Sequence, residues 1–455
     1  MLYESFWSAL SRKWNNPFLA TIALFHGKAA MKDFLYSVSD IDISTLPYDH
    51  KVISLIKEHK SLGGKVVLAT ASNKYFANKI AKHLKLFDEV YGSDKVNNLK
   101  GKHKADFLEN KFGSNSFSYI GDSYADLPVW QISKNILTVN ASSFLRKKVE
   151  SLDKPTKHIV TKKKSSQSLL LAMRPHQWLK NVLIFLPLLA AHKFESSTIL
   201  DSLLAFISFS LLASSVYILN DLLDINTDRA HPRKRLRPFA SGSLSIKFGG
   251  FLTFVFFISG TVIATYLGWM FMFVLCLYYI LTTVYSLILK RKIIMDICIL
   301  AGLYTIRIIS GGLATGIELS VWLLNFSMFF FLSLAAVKRQ AELVDMKDRK
   351  VLKAKGRGYH IKDLPIISMV GLGAGYVSVL VLAIYINSPD VQELYNFPYA
   401  LWGICCILLY WLTRMIMITH RGLMHDDPII FAVKDKISHL CLFLILGFGF
   451  SGALM

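Results

Sequence analysis

The residues with the clearest chemical potential lie between 220 and 238: Asn220, Asp221, Asp224 and Asp228, then Arg229, Arg233, Lys234, Arg235 and Arg237. On a continuing helix, Asn220, Asp224 and Asp228 recur at i, i+4 and i+8 with Asp221 beside them, so oxygen ligands gather along one face. Clustered hard oxygens suit Mg²⁺, which binds through one or two carboxylates and completes its shell with waters and substrate phosphates. The five cations that follow can take the phosphate oxygens that the metal leaves uncovered. An ordinary solvated juxtamembrane loop would explain the cations, but not three acids and an Asn in register at the mouth of an apolar segment.

The elements that must position these groups follow from composition. The chain has 455 residues, a net charge of +21 and 53% hydrophobic residues, with a mean hydropathy of +0.41. A soluble nucleic-acid binder would carry its charge on a polar background, so this combination disfavours nucleic acid and disorder and points to a membrane protein with anionic partners. Residues 1–150 read as soluble α/β, with short buried strands at Lys65 to Thr70 and Phe117 to Ile120. Residues 151–168 read as a basic linker containing Pro155 and the Lys162, Lys163, Lys164 run. From 169 to 455 the composition predicts nine membrane spans, near 181–195, 201–219, 247–267, 269–289, 294–315, 320–337, 365–387, 397–419 and 437–455. The first is shortened by His192, Lys193 and Glu195. Alternate loops carry 22 Lys and Arg, and the opposite set only Lys193. That asymmetry predicts a cytoplasmic amino-terminal domain and a carboxyl terminus on the other side of the cell's inner membrane. No cleavable signal peptide is visible. The five cysteines lie in apolar spans without metal-ligand spacing and read as small packing residues.

The membrane half resembles the UbiA superfamily of intramembrane prenyltransferases, whose NDxxDxxxD signature on the second of nine helices is matched by Asn220 to Asp228. Closer features resemble its polyprenyl-phosphate phosphoribosyltransferase branch: Arg174 to Asn181 (RPHQWLKN), Asp228 to Pro238 (DRAHPRKRLRP), Tyr285, Ser286, Lys290, Asp296 and Arg307, and Lys338, Arg339, Glu342 and Leu343. Aromatic prenyltransferases of the superfamily usually carry a second Asp-rich motif where this chain has Lys338, Arg339, Glu342, Asp345 and Asp348. The resemblance implies a magnesium enzyme that transfers phosphoribose from phosphoribosyl diphosphate to a polyprenyl phosphate. It assigns the metal to Asn220, Asp221, Asp224 and Asp228, with Asp224, Asp228, Lys338, Arg339 and Glu342 at the catalytic centre. Substrate phosphates fall to Lys180, Arg233, Lys234, Arg237, Tyr285, Lys290 and Arg307. Arg307 lies well inside a span and has a second reading, a structural pair with Asp296. His176 and His231 are expected to support the motifs without binding metal. Phe, Leu, Tyr and Met in the later spans could line a tunnel for the prenyl tail, although lipid contact or helix packing explains any one of them.

The amino-terminal domain resembles the haloacid dehalogenase phosphatases. Thr70 or Ser72 (LATASN) fits the phosphate-binding second motif, Lys104 the third, and Asp122 and Asp126 (GDSYAD) the fourth, where acids hold Mg²⁺. The family's first motif, DxDxT with its nucleophilic Asp, has no counterpart. Asp40 and Asp42 imitate the spacing but precede a Leu-Pro-Tyr turn and read as loop acids. Either the true start lies upstream or the domain is a vestigial phosphatase with a binding or structural role. The function classes left open are the phosphoribosyltransferase, an aromatic-acceptor polyprenyltransferase of the 4-hydroxybenzoate type using a prenyl diphosphate, and a membrane-anchored phosphatase. The last fails to explain acids and cations packed at span ends. Oligomeric state has no signature in the sequence.

Overall fold

The computed structural model describes every residue except 1, 14, 95–97, 162–165, 351–357, 425–426 and 455. The Lys162 to Lys164 run therefore lies outside the described residues. The chain divides into two compact units, residues 1–173 with 217–253, and residues 174–216 with 254–455.

In the first unit, β1 (Val67–Asn73) pairs in parallel with β2 (Glu89–Ser93). The strands β3 (Ser118–Gly121), β4 (Asn135–Val139) and β5 (Thr156–Ile159) form a second parallel sheet in that order. Parallel neighbours require crossovers, and helices supply them: Lys74–Leu84 between β1 and β2, Leu127–Ile132 between β3 and β4, Ser143–Glu150 between β4 and β5. Ala69 of β1 and Tyr119 of β3 pack with Ala105, Leu108 and Val129, so the helix Lys102–Phe112 lies in a core common to both sheets. This is the expected α/β domain. One boundary differs from expectation, because β5 falls inside the stretch read as a linker. Its pairing to β4 runs from Ile136 opposite Thr156 to Val139 opposite Ile159. An edge strand is held by main-chain hydrogen bonds and needs little apolar alternation, and its polar His158 is used, with Nδ1 2.7 Å from Thr138 Oγ1.

Eight helices among the described residues are long and apolar enough to cross a bilayer: Ser196–Leu223, Ile246–Tyr266, Trp269–Leu287, Met295–Thr315, Val321–Asp348, Ile361–Ile386, Pro398–His420 and Lys436–Ala453. They coincide with the last eight expected spans. The expected first span, 181–195, is not a continuous α-helix. It is a 3₁₀ helix, Pro175–Phe185, followed by one α-helical turn, Leu186–Ala190. Pro187 removes a backbone donor at the junction. The tighter winding also lengthens the segment, because eleven 3₁₀ and five α residues rise about 30 Å. A close backbone approach fixes it: a Cβ on Gly311 would stand 2.1 Å from the Ile184 carbonyl oxygen, so only glycine fits there.

Small residues bring the helices of the second unit together. Ser202, Ser208, Ser210, Ser214 and Ser215 on one helix are all buried, and Ser208 Oγ donates to the Gly260 carbonyl at 2.8 Å. Farther along, Tyr304 and Phe331 stack at 4.8 Å within an apolar core. Large side chains such as Phe254, Phe273, Phe443 and Phe450 remain exposed, as an exterior solvated by lipid requires. The cysteines are unpaired, with Cys405 and Cys441 buried.

Candidate active site

The Asp motif lies where the long helix Ser196–Leu223 gives way to the short helix Ile225–Ala230. Asp224 occupies the break, yet the hydrogen bonds from Asp224 N to Asn220 O (2.9 Å) and from Asp228 N to Asp224 O (2.8 Å) keep the four-residue rhythm. The expected helical register therefore survives the break. Asp221 and Asp228, two turns apart, are 3% and 2% exposed. Arg237 closes the pair, its Nη1 donating to Asp221 Oδ1 at 3.1 Å and to Asp228 Oδ2 at 2.7 Å. Burial pushes the Asp228 carboxyl above the usual range, and Arg237 opposes that shift.

Between these acids and Arg237 the chain makes a short excursion. His231 Nδ1 accepts from the backbone N–H groups of Arg233 (3.2 Å) and Lys234 (3.3 Å), capping the turn. The Arg233, Lys234 and Arg235 side chains are exposed. Arg229 behaves otherwise: it is buried and ion-paired with Glu4, so it is not one of the open phosphate cations that its position suggested.

Among the described residues no three His, Cys, Asp or Glu side chains form a metal cage by themselves. The donor set still fits Mg²⁺. Two buried carboxylates already close on one half-exposed cation, and magnesium asks for one or two carboxylates when phosphate oxygens and waters complete its octahedron.

Within the second unit three polar groups emerge. Lys180 Nζ (3.1 Å) and Lys338 Nζ (2.9 Å) both reach Asp427 Oδ2, bringing the 3₁₀ segment and the helix Val321–Asp348 to one carboxylate. Burial works against ionisation of Asp427, but the two lysines win and hold it well below the usual carboxylate range. Its Oδ1 accepts from the Ile429 N–H, capping Pro428–Lys434.

In the next group, Arg339, 1% exposed, is ion-paired with Asp296 and Glu342, and Tyr359 OH also donates to Asp296. Thus Arg339 and Asp296 form a buried pair that ties two spans together, whereas Glu342 reaches the surface. Arg307 is not paired with Asp296, which corrects its structural reading. Instead Nε donates to Asn181 Oδ1 (2.8 Å), Nη2 to Tyr278 OH (3.0 Å) and Nη1 to the Leu303 carbonyl, while Asn181 Nδ2 donates to Ser210 Oγ (3.0 Å). Arg307 therefore binds the 3₁₀ segment to the helix Met295–Thr315. Tyr285 lies near the end of the helix Trp269–Leu287, and Lys290 in the 3₁₀ turn Leu289–Arg291 that follows.

In the α/β domain, Lys104 Nζ donates to Asp126 Oδ1 (3.0 Å), as does Tyr119 OH (2.9 Å), and Ser123 Oγ donates to Oδ2 (3.0 Å). Burial opposes ionisation, but these donors hold Asp126 below its usual range, while burial raises neighbouring Asp122. Thr70 Oγ1 accepts from the Ser72 N–H at 3.1 Å. Asp42 accepts from Ser44 and caps the turn Ile43–Thr45, in keeping with a loop acid.

Two residues of consequence have no motif. Asp427 carries a local cue, an Asp-Pro helix start within a basic loop. Glu4 carries none, since its partner is 225 residues away.

The UbiA prenyltransferase family model matches residues 181–425, and the haloacid dehalogenase-like hydrolase model matches residues 19–131. An uncharacterized protein, y4nM, of Sinorhizobium fredii is 34% identical over 91% of this chain and 81% of its own length. The nodulation protein NoeC of Azorhizobium caulinodans is 35% identical over 61% of this chain and 91% of its own. Decaprenyl-phosphate phosphoribosyltransferase of Mycolicibacterium smegmatis is 36% identical over 42% of this chain and 59% of its own. With its multiple apolar helices and the matched Asp motif, the chain belongs to the UbiA prenyltransferase family and is a transferase.

Proposed function

We propose that the protein transfers phosphoribose from phosphoribosyl diphosphate to a polyprenyl phosphate at the cytoplasmic face of the inner membrane. The observation that carries this reading is the buried Asp221 and Asp228 pair closed on Arg237, followed at once by the exposed cations Arg233 and Lys234. The likeness to the mycobacterial phosphoribosyltransferase supports the donor. The Lys180, Asp427 and Lys338 group supports a second phosphate recognised by cations, at a helix where a second acidic motif would belong to the aromatic-acceptor enzymes.

In this reading a phosphate oxygen of the acceptor forms a bond to the anomeric carbon as the bond from that carbon to diphosphate breaks, and diphosphate leaves with the electron pair. No covalent enzyme intermediate is needed. Magnesium, when bound by Asp221 and Asp228 with Asn220 and Asp224 beside them, neutralises charge on the leaving diphosphate. With the acids given over to a metal, Arg237 would be left to neutralise phosphate oxygens together with Arg233 and Lys234. Lys180 and Lys338 take a substrate phosphate, with Asp427 holding both ammonium groups in place. The family's site is met by positioning and charge stabilisation alone. In this reading the 3₁₀ and α segment 175–190 crosses the bilayer as a ninth span, so the termini lie on opposite sides, and the Lys and Arg bias of the loops assigns the α/β domain to the cytoplasm.

The assay incubates membranes with radiolabelled phosphoribosyl diphosphate and polyprenyl phosphate. Label in the lipid phase is expected. No labelled lipid, alongside product from 4-hydroxybenzoate and a prenyl diphosphate, overturns the choice.

A further inference from the structure

We infer that Glu4 is a positioning residue for the metal and diphosphate site, acting through Arg229. Arg229 directly follows Asp228 on the helix Ile225–Ala230, but it is 8% exposed and its Nη1 is ion-paired with Glu4, itself 6% exposed. The same guanidinium donates from Nε to the Ala240 carbonyl at 3.3 Å, so it also holds the returning end of the loop, three residues after Arg237. A second tether lies one turn earlier: Asn226 Nδ2 donates to the Asp40 carbonyl (2.8 Å) and to Ser8 Oγ (3.3 Å). Glu4 and Ser8 are one turn apart on the helix Leu2–Arg12, whose Ala9 packs with Ala20 and Leu35 of the two helices that follow. The short helix carrying Asp228 is thus gripped by chain that lies about 200 residues away in sequence.

The physics of a buried pair gives this grip a consequence for the site. A buried ionised group costs several kcal/mol unless paired, and removing one partner leaves the other uncompensated. With Glu4 present, the Arg229 guanidinium is committed to an acid outside the Asp motif, and Asp228 is left to Arg237. Without Glu4, a stranded cation next to the motif competes with metal for its carboxylates, and the Ala240 end of the loop loses its anchor. The amino-terminal helix therefore sets the affinity of the transferase site, and the α/β domain does not act as a detachable passenger. This inference rests on the reading of Asp221 and Asp228 as metal and diphosphate ligands.

The test uses full-length protein in lipid nanodiscs and measures binding of magnesium diphosphate by calorimetry, together with thermal unfolding. Glu4→Gln, which keeps the shape and removes the charge, is expected to weaken binding about tenfold, while Glu4→Asp, which keeps the charge, stays within about threefold of wild type. Asn226→Ala, which cuts the second tether and strands no charge, is expected to weaken binding about threefold, and it carries the test if Glu4→Gln fails to fold. A purely structural role would lower the unfolding temperature and leave affinity where it was. Unchanged affinity in the folded variants overturns the inference. A wild-type protein that binds no magnesium diphosphate defeats the underlying reading of the Asp motif, and the inference with it.

Discussion

The buried Asp221 and Asp228 of the Asp motif and the buried Asp126 of the α/β domain are held in different ways. Asp221 and Asp228 both accept from Arg237, whose side chain is 28% exposed. Asp126 accepts from the side chains of Lys104, Tyr119 and Ser123 and from the backbone N–H groups of Asp122 and Ser123, and its lysine partner is itself 9% exposed. On the proposed reading, Arg237 gives up the first two acids to a metal. An ion entering at Asp126 must first displace these donors. The metal is therefore proposed at the Asp motif, and Asp126 is left to the fold.

The largest effects should come from the motif itself. Asp228→Asn or Asp224→Asn is expected to lower transfer by at least about 10²-fold with normal membrane insertion, measured as labelled lipid per unit of protein. Retained activity would remove the motif from the mechanism. Lys104→Met tests the other side of the contrast: it should destabilise the α/β domain by about 3 kcal/mol in chemical denaturation and leave magnesium diphosphate binding unchanged.

Asp427→Asn comes next. Freed from their common carboxylate, Lys180 and Lys338 lose their fixed placement, and KM for a phosphate-bearing substrate should rise about tenfold with a smaller change in kcat. The smallest effect is on pH. On the proposed reading metal binding needs Asp228 ionised, and burial raises its folded pKa, so affinity should climb as pH increases through that raised value. The stability contributed by the protonated carboxyl has the opposite sense, present below the ordinary pKa and lost as pH rises through the raised one. Arg237→Gln removes the opposing charge and should move the acid limb of binding to higher pH. A limb that stays in place would show that Arg237 does not govern Asp228.

Much of this contrast was legible in the sequence, because local spacing encodes it. Asn220, Asp221, Asp224 and Asp228 were found from their periodicity, and the last eight spans from continuous apolar runs, both properties of neighbouring residues. What escaped depends on distant partners or unusual backbone. The 3₁₀ winding of residues 175–185 has no hydropathy signature, and β5 is an edge strand whose polar residues read as linker. Arg229 looks like an open phosphate cation in sequence and Arg339 like a residue of the catalytic centre; Glu4 and Asp296, 225 and 43 residues away, make them internal. Arg307 was expected to meet either phosphate or Asp296, and neutral partners on three other turns of chain took it instead.

The most direct test of the contrast is a titration with Mn²⁺ in the presence of diphosphate, followed by electron paramagnetic resonance, on wild type, Asp228→Asn and Asp126→Asn. Binding at one site that is lost in Asp228→Asn and kept in Asp126→Asn is the predicted result. Binding that survives Asp228→Asn and disappears in Asp126→Asn would place the metal in the α/β domain and contradict the account.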